Sequence, residues 1–320
     1  MTDARRDSRD EPAMATYATL AMRATTTRVA RCKTIADGCA AAMGASRASV
    51  VEEHARVIRR LSCRATSSSS SSSSSSYDAK SASLTERQRE KMVMYAALVM
   101  RENRGEHGML TGATSEREVL EEHASDALAL LDVFDGLMRD RVNDVNDEGG
   151  DGVRVMDVGS GAGFPGIPLA IARPEWRFTL LDTLRKRTSF LEVVVRELGL
   201  TNVTVVWGRA EDSAKEAEHR ESYDIVTARA VAEMRVLAEF CLPFAANGGY
   251  WVSAKNAEVE AETRDSLKAI ATLGGGDLRV ESVDSIGPDG RPRTAVVCPK
   301  IAPTPEKYPR RAGMAKKRPL

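Results

Sequence analysis

Residues 153–172 read VRVMDVGSGAGFPGIPLAIA: a β-rich apolar run ending in an acid, glycines at 159, 161, 163 and 166, then an apolar helical pattern. A strand that turns through glycine directly into a helix commits the next strand to lie parallel in the same sheet, because the helix carries the chain back across one face. Gly159, Gly161 and Gly163 can adopt positive φ and let a ligand touch bare backbone. Pro165 suits the start of the helix, and Pro168 is tolerated in its first turn.

The same alternation continues down the chain. Further strand candidates are RFTLLD ending at Asp182, VTVVW from Val203, YDIVTA from Tyr223 and GYWVSA from Gly249, with RVESVD from Arg279 and RTAVVC from Arg293 closing the series. Helices fit at 166–173, 185–198, 210–219, 231–242 and 256–272. The fold class is therefore α/β, a mostly parallel seven-stranded sheet covered on both faces. Only SIGPDGRP separates the last two strands, so they should pair as an antiparallel hairpin at one edge.

Ahead of the sheet, residues 84–150 read as a small helical cap. Thr85 and Gln88 have capping-box spacing before Met92, Tyr95, Ala96 and Val99, and Ser115 with Glu118 opens a second helical run. RDRVNDVNDEGGDG then reads as a polar linker. Residues 1–83 look unlike fold. From 14 to 50 the chain is rich in Ala, Thr, Ser and Arg, with Asp37 its single acid, and ten consecutive serines follow at 67–76. That composition is expected of an organelle transit peptide and a solvated linker, plastid being favoured over mitochondrion by the serine and threonine content. The acidic start MTDARRDSRDE fits such a leader poorly, so translation is expected to begin at Met14. Residues 151–302 then hold the sheet, and 303–320 form a basic tail.

Lys plus Arg equals Asp plus Glu at 46 each, so overall charge points to no nucleic-acid or membrane partner and local charge must decide. No run of about 18 apolar residues marks a spanning helix. The cysteines at 32, 39, 63, 241 and 298 are odd in number and contain no CxxC pair, which argues against a disulfide framework or a zinc ribbon. No metal ligand set is assigned.

Ligands of such sheets bind beyond the carboxyl ends of the strands. Asp182 closes the second strand nineteen residues after Gly163, where a carboxylate can accept both ribose hydroxyls. GAGFPG itself satisfies the dinucleotide pattern G-x-G-x-x-G, which keeps an NAD(P)-dependent reductase open. Three features favour S-adenosylmethionine. Asp157 stands where it could hold a cationic methionyl end and repel a pyrophosphate. GRAED, from Gly208 to Asp212, offers an acid near an adenine ring. Seven strands with a terminal hairpin also resemble the class I methyltransferases.

Four stretches together resemble one family: DVGSGAGFPGIPLAIARPEWRFTLLDTLRKRTSFLEVVVRELGL, VVWGRAED, YDIVTARAVA and the tail KYPRRAGMAKKRPL. They are similar, in this order, to the bacterial small-subunit rRNA guanine-N7 methyltransferases, once called glucose-inhibited division protein B. The resemblance implies action on small-subunit rRNA with S-adenosylmethionine as cofactor; a monomer without a membrane or metal partner is expected. The resemblance also implies cofactor contacts from Gly159 and Phe164, a ribose site at Asp182 and Thr183, and an adenine site at Ala210 and Glu211. Asp157, Ser160, Gly161 and Gly163 complete the expected cofactor-binding residues on the loop's own chemistry. Arg229 would line the cofactor and substrate pocket. The cap departs from the family: Glu102 and Met109 replace its usual tryptophan and asparagine, and Glu122 replaces an arginine, while Asn103, Leu110, Thr111, His123 and Asp126 are kept.

Guanine N7 has an in-plane lone pair and is unprotonated at neutral pH, so methylation there needs no general base and none is assigned. The expected mechanism is in-line transfer driven by positioning. RNA should meet Arg185, Lys186 and Arg187 after the second strand, Lys255 after the fifth, and Arg310, Arg311, Lys316 and Lys317 in a tail that has no acid from Lys307 onward. Removing 307–320 is then expected to weaken RNA binding and leave cofactor affinity alone. A ribosome-assembly factor without catalysis is the remaining alternative.

Overall fold

The computed structural model describes residues 76–105, 110–144, 152–229, 231–256, 258–287 and 290–320. The proposed leader, the serine tract up to residue 75 and Met109 lie outside the described residues. Among the described residues the strands are β1 (Arg154–Val158), β2 (Arg177–Asp182), β3 (Val203–Trp207), β4 (Tyr223–Arg229), β5 (Ala245–Asn256), β6 (Arg279–Ile286) and β7 (Pro292–Pro299). Their order is β3-β2-β1-β4-β5-β7-β6. The first five pair in parallel, and β7 inserts antiparallel between β5 and β6. The expected edge hairpin is present. The order reverses between β1 and β4, so the ligand crevice falls at the end of β1.

Period-two alternation divides the sheet between two cores. Val155, Phe178, Leu180 and Ile225 face one layer, whereas Met156, Val158, Val226 and Trp251 face the other. On the first face lie Gly166–Ala172 and Arg185–Leu198, with the cap packed over them: Met92, Tyr95, Val99 and Phe134 share that core with Leu169, Phe190 and Leu191. On the second face lie Met234–Cys241 and Glu260–Thr272, joined by Tyr308 and Ala315 of the tail. Residues 71–320 cluster as one compact unit.

Several expectations need correction. Ser76–Ser81, within the stretch given to linker, is helical and buries Tyr77. The second cap helix is not continuous. It runs Glu116–Glu118, a π-helical Val119–Ala124, and Ser125–Leu128, then resumes as Leu131–Asp144 into the supposed polar linker. Of the helix expected at 210–219 only Ala210–Ser213 forms. Beyond Ala214 no large apolar residue appears before Tyr223, so a longer helix would have no face to bury.

The capping box is formed as read. The Thr85 side chain accepts from the Gln88 N–H, and the Gln88 side chain accepts from the Thr85 N–H. Gln88 Nε2 also donates to the carbonyls of Ile171 and Ala172 at 2.9 and 3.1 Å, closing the end of the glycine-loop helix. The helix Glu86–Asn103 thus anchors the element that carries the loop.

Candidate functional site

At the carboxyl ends of β1, β2 and β4 the chain encloses a cavity of about 490 Å³. Its floor is the glycine loop. Gly159, Gly161 and Gly163 all take positive φ, at 75°, 60° and 105°. A Cβ on Gly159 would stand 2.8 Å from Val231 Cγ2, so the backbone itself forms the surface. The N–H groups of Gly159 and Ser160 donate to the Leu181 carbonyl at 2.8 and 3.1 Å, tying the loop to the end of β2. From the cap, the Tyr95 hydroxyl donates to the Ala162 carbonyl at 2.7 Å and holds the loop from behind.

Asp182 is 2% exposed and lines the cavity. Its Oδ2 accepts from the Gly161 N–H at 2.9 Å and lies 3.4 Å from Arg187, and its Oδ1 accepts from the Leu184 N–H at 2.9 Å. These bonds fix the carboxylate against the loop and leave lone pairs for a diol. Thr183, Ala210, Glu211 and Arg187 complete this end. The tail closes over it: Gly313 N–H donates to Glu211 Oε1 at 2.9 Å, and Gly313 and Lys316 lie on the cavity wall.

At the opposite end Phe164 is covered. The Arg229 guanidinium sits 5.0 Å above its ring, and the rings of His123 and Tyr95 lie 5.1 and 5.2 Å away. Arg229 Nη1 donates to Asp126 Oδ2 at 3.1 Å, and Asp126 Oδ1 accepts from Ser285 at 3.0 Å. Burial, then the neighbouring Arg229 charge, pushes His123 down to about 4, so it is a neutral ring at physiological pH. Asn103 shapes the remaining wall. Its Oδ1 accepts from the N–H groups of Leu110 and Thr111 at 2.7 and 3.1 Å, placing Leu110–Gly112 against the cavity.

His123 and Arg229 also line a second cavity of about 430 Å³, with Asp126, Lys255, Asn256 and Arg293 among its other walls. The two spaces share the His123 and Arg229 side chains as a common wall.

Some expected site residues fall elsewhere. Asp157 is buried on the cap side of β1, beneath the loop, and does not line the cavity. Its Oδ2 accepts from the Gly166 N–H at 3.1 Å, so it caps the following helix, while its Oδ1 has no hydrogen-bond partner. Lys255 lies within β5, not past it; its ammonium is held by Glu262 at 2.7 Å and the Ala232 carbonyl at 3.2 Å, facing the second cavity. Arg310 is a clamp, not a free RNA contact. Its guanidinium and backbone N–H converge on Glu239, which is 1% exposed. Arg311, Lys316 and Lys317 remain exposed, as do Arg185 and Lys186. The tail therefore serves the fold and the cavity as well as presenting charge, which contradicts the expectation that its removal spares the cofactor site. Tyr95 and Gly313 were not identified as site residues from sequence, because each acts through a contact distant along the chain.

Two buried groups make a pH prediction. Burial raises the Asp157 carboxyl from its ordinary 3.8 to about 7, so between those values the folded chain holds a proton that the unfolded chain has released. Stability from this group falls as pH rises through that window. His123 acts with the opposite sign: below 6.5 the unfolded chain gains a proton that the folded chain refuses, so stability falls as pH drops toward 4. Asp157→Asn should be more stable than the parent at pH 8 and should lose stability steeply below pH 6.5, where the His123 slope is no longer offset. Urea denaturation across pH measures this; a parental pH profile in the Asp157→Asn variant refutes it.

Among the described residues no helix is long and apolar enough to cross a membrane, and no group of three His, Cys, Asp or Glu could hold a metal ion.

The family model for rRNA small subunit methyltransferase G matches residues 88–287. Curated relatives of that description include a protein from Brevibacillus brevis, 43% identical over 76% of this chain and 95% of its own length. Another, from Lactobacillus helveticus, is 40% identical over 74% and 93%. Similar solved structures include Aeropyrum pernix fibrillarin with bound S-adenosyl-L-methionine (TM-score 0.38, 19% identity, 46% of this chain and 66% of that one). A putative O-methyltransferase from Klebsiella pneumoniae has a TM-score of 0.42 and 13% identity, covering 66% and 90%.

Proposed function

The chain belongs to the rRNA small subunit methyltransferase G family, and from that premise we propose that it transfers a methyl group from S-adenosylmethionine to N7 of a guanine in the small-subunit rRNA of an organellar ribosome. The strongest support is the cavity itself. Its floor is bare glycine backbone, one end carries the fixed Asp182 carboxylate, and its far end shares the His123–Arg229 wall with a second polar space. A volume near 490 Å³ suits a ligand of nucleoside size. The residues present fit the cofactor: Asp182 for the ribose hydroxyls, Thr183, Ala210 and Glu211 around the adenine, and the loop and Phe164 toward the methionyl end.

When bound, the cofactor supplies an electrophilic methyl carbon on a sulfonium. The chain's own residues do the rest by placement. A purine in the second cavity lies between the neutral His123 ring and the cations Arg229, Lys255 and Arg293, with Asp126 and Asn256 beside it. Oxygen O6 of guanine is an acceptor for such cations, and N7 adjoins it on the same edge. Arg229 is held by Asp126, so its position does not depend on substrate. Holding nitrogen, carbon and sulfur in line supplies much of the rate, and no residue is asked to move a proton.

The acid-poor, Ser- and Thr-rich composition of residues 14–50 supports a plastid ribosome over a mitochondrial one. Calorimetry on the full chain should detect S-adenosylhomocysteine and not NAD; the reverse favours a reductase. Mapping N7-methylguanine in organellar small-subunit rRNA with and without the protein tests the rest. One site should vanish with the protein. Retention of every such site refutes N7 transfer on that ribosome and favours an assembly role.

A further inference from the structure

Trp207 closes β3 at the edge of the sheet, in register with Asp182, yet it is 60% exposed. The other two tryptophans, Trp176 and Trp251, are buried. A large exposed aromatic residue is the informative kind of exposure, since burial elsewhere would stabilise it. It is also held in place. Its Nε1 donates to the Thr183 carbonyl at 3.1 Å, and the Arg185 guanidinium lies 5.5 Å from its ring centroid. Leu184, 44% exposed, continues the apolar surface.

Basic residues cluster beside it: Leu184 is followed by Arg185, Lys186 and Arg187, and Trp207 by Gly208 and Arg209, although Arg187 lies 3.4 Å from Asp182 and Arg185 3.2 Å from Glu192. Three cations in the first turn of the helix Arg185–Leu198, with no acid there, oppose the helix dipole. Asp182 beside Arg187 and Glu192 beside Arg185 offset part of that, and the exposed Lys186 adds a further cation. A flat ring with cations beside it, at the mouth of a methyl-donor cavity, has the chemistry that binds single-stranded nucleic acid by stacking a base and pairing its phosphate.

Resting on the rRNA methyltransferase reading above, we propose that Trp207 is a stacking platform for an unpaired base of the substrate RNA near its target guanine, with Arg185 and Lys186 on the adjoining phosphates. The base occupies the exposed face of the ring. A duplex, whose bases are already stacked, gains nothing from it.

The test uses the full chain and a single-stranded decauridine oligoribonucleotide. In the parent the exposed indole should report binding as quenched emission, and the anisotropy of a fluorescein label on the oligonucleotide reports binding in the parent and in every variant. Trp207→Ala should weaken the oligonucleotide about tenfold. Trp207→Phe keeps the ring and loses only the bond to Thr183, so it should stay within about twofold of the parent. S-adenosylhomocysteine affinity serves as the control and should be parental in both variants. If Trp207→Ala binds the oligonucleotide like the parent, if Trp207→Phe loses as much as Trp207→Ala, or if a duplex quenches as strongly as the single strand, the platform is refuted. Failure of the parent chain to bind S-adenosylhomocysteine would instead overturn the methyltransferase reading, so the two failures are distinguishable.

Discussion

Replacing Gly163 by alanine should destabilise the chain by about 3 kcal/mol, the sum of a left-handed backbone penalty and overpacking. It should also weaken cofactor binding by displacing the loop, since Gly163 lies behind the cavity wall and not on it. The residue sits at φ 105°, and a Cβ there would stand 2.7 Å from Ile167 Cγ1, 2.9 Å from the Tyr95 hydroxyl and 3.0 Å from Leu191 Cδ2. None of these can retreat cheaply. Tyr95 is fully buried and its hydroxyl holds the Ala162 carbonyl, while Ile167 and Leu191 are buried in the same core. Gly161 provides the contrast. It also has positive φ, but its Cβ would meet nothing nearer than 3.9 Å. Gly161→Ala should therefore cost only the backbone term, about 1 kcal/mol. Urea denaturation of both variants, with S-adenosylhomocysteine calorimetry on Gly163→Ala, decides it. Equal stability losses would mean that crowding against the cap plays no part.

Arg310→Ala should cost about 3 kcal/mol, because it strands a buried carboxylate. Glu239 is almost inaccessible and takes its hydrogen bonds from the Arg310 guanidinium at 2.5–3.1 Å and from its N–H at 2.8 Å. The tail beyond this clamp carries Gly313 onto Glu211 and Lys316 onto the cavity wall, so cofactor affinity should fall with it. Arg220 reinforces the same strap by donating to the carbonyls of Thr304 and Tyr308 at 2.8 and 3.0 Å. Arg310→Lys should recover only part of the loss, since an ammonium lacks the two-pronged fit to a carboxylate. Exposed Arg311 should behave differently. Arg311→Ala should leave stability unchanged and reduce the salt dependence of RNA binding by about one ion. Denaturation, calorimetry and salt-titrated RNA binding separate the two arginines; if they behave alike, the tail is a uniform basic arm and the clamp has no energetic weight.

How far each element could be read from the residues follows from the range of the forces that shape it. Strands β2 and β3 and the helix Arg185–Leu198 fall at the bounds their patterns mark, because β-branched runs, a terminal acid and a C-terminal Gly199 act within a few residues. The capping box at Thr85 is equally local. The break after Leu128 and the short helix at Ala210 were not legible, since an unbroken apolar pattern or a polar one says little about where packing interrupts it. Asp157 is instructive. Its position before the loop marked it as a site residue, yet strand alternation turns it toward the cap, where it binds the Gly166 N–H.

The amino-acid order alone determined the parallel sheet with its edge hairpin, the glycine loop, and the carboxylate of Asp182 at the end of the second strand. Those depend on periodicity and backbone freedom, which are properties of neighbouring residues. Only the tertiary structure decided that Tyr95 supports the loop, that Asp126 holds Arg229 beside His123 and Phe164, and that a basic tail is clamped by Glu239 and laid against Glu211 at one end of the cavity. Those pairings join residues far apart in sequence, and burial, which makes each of them strong, exists only once the layers have closed.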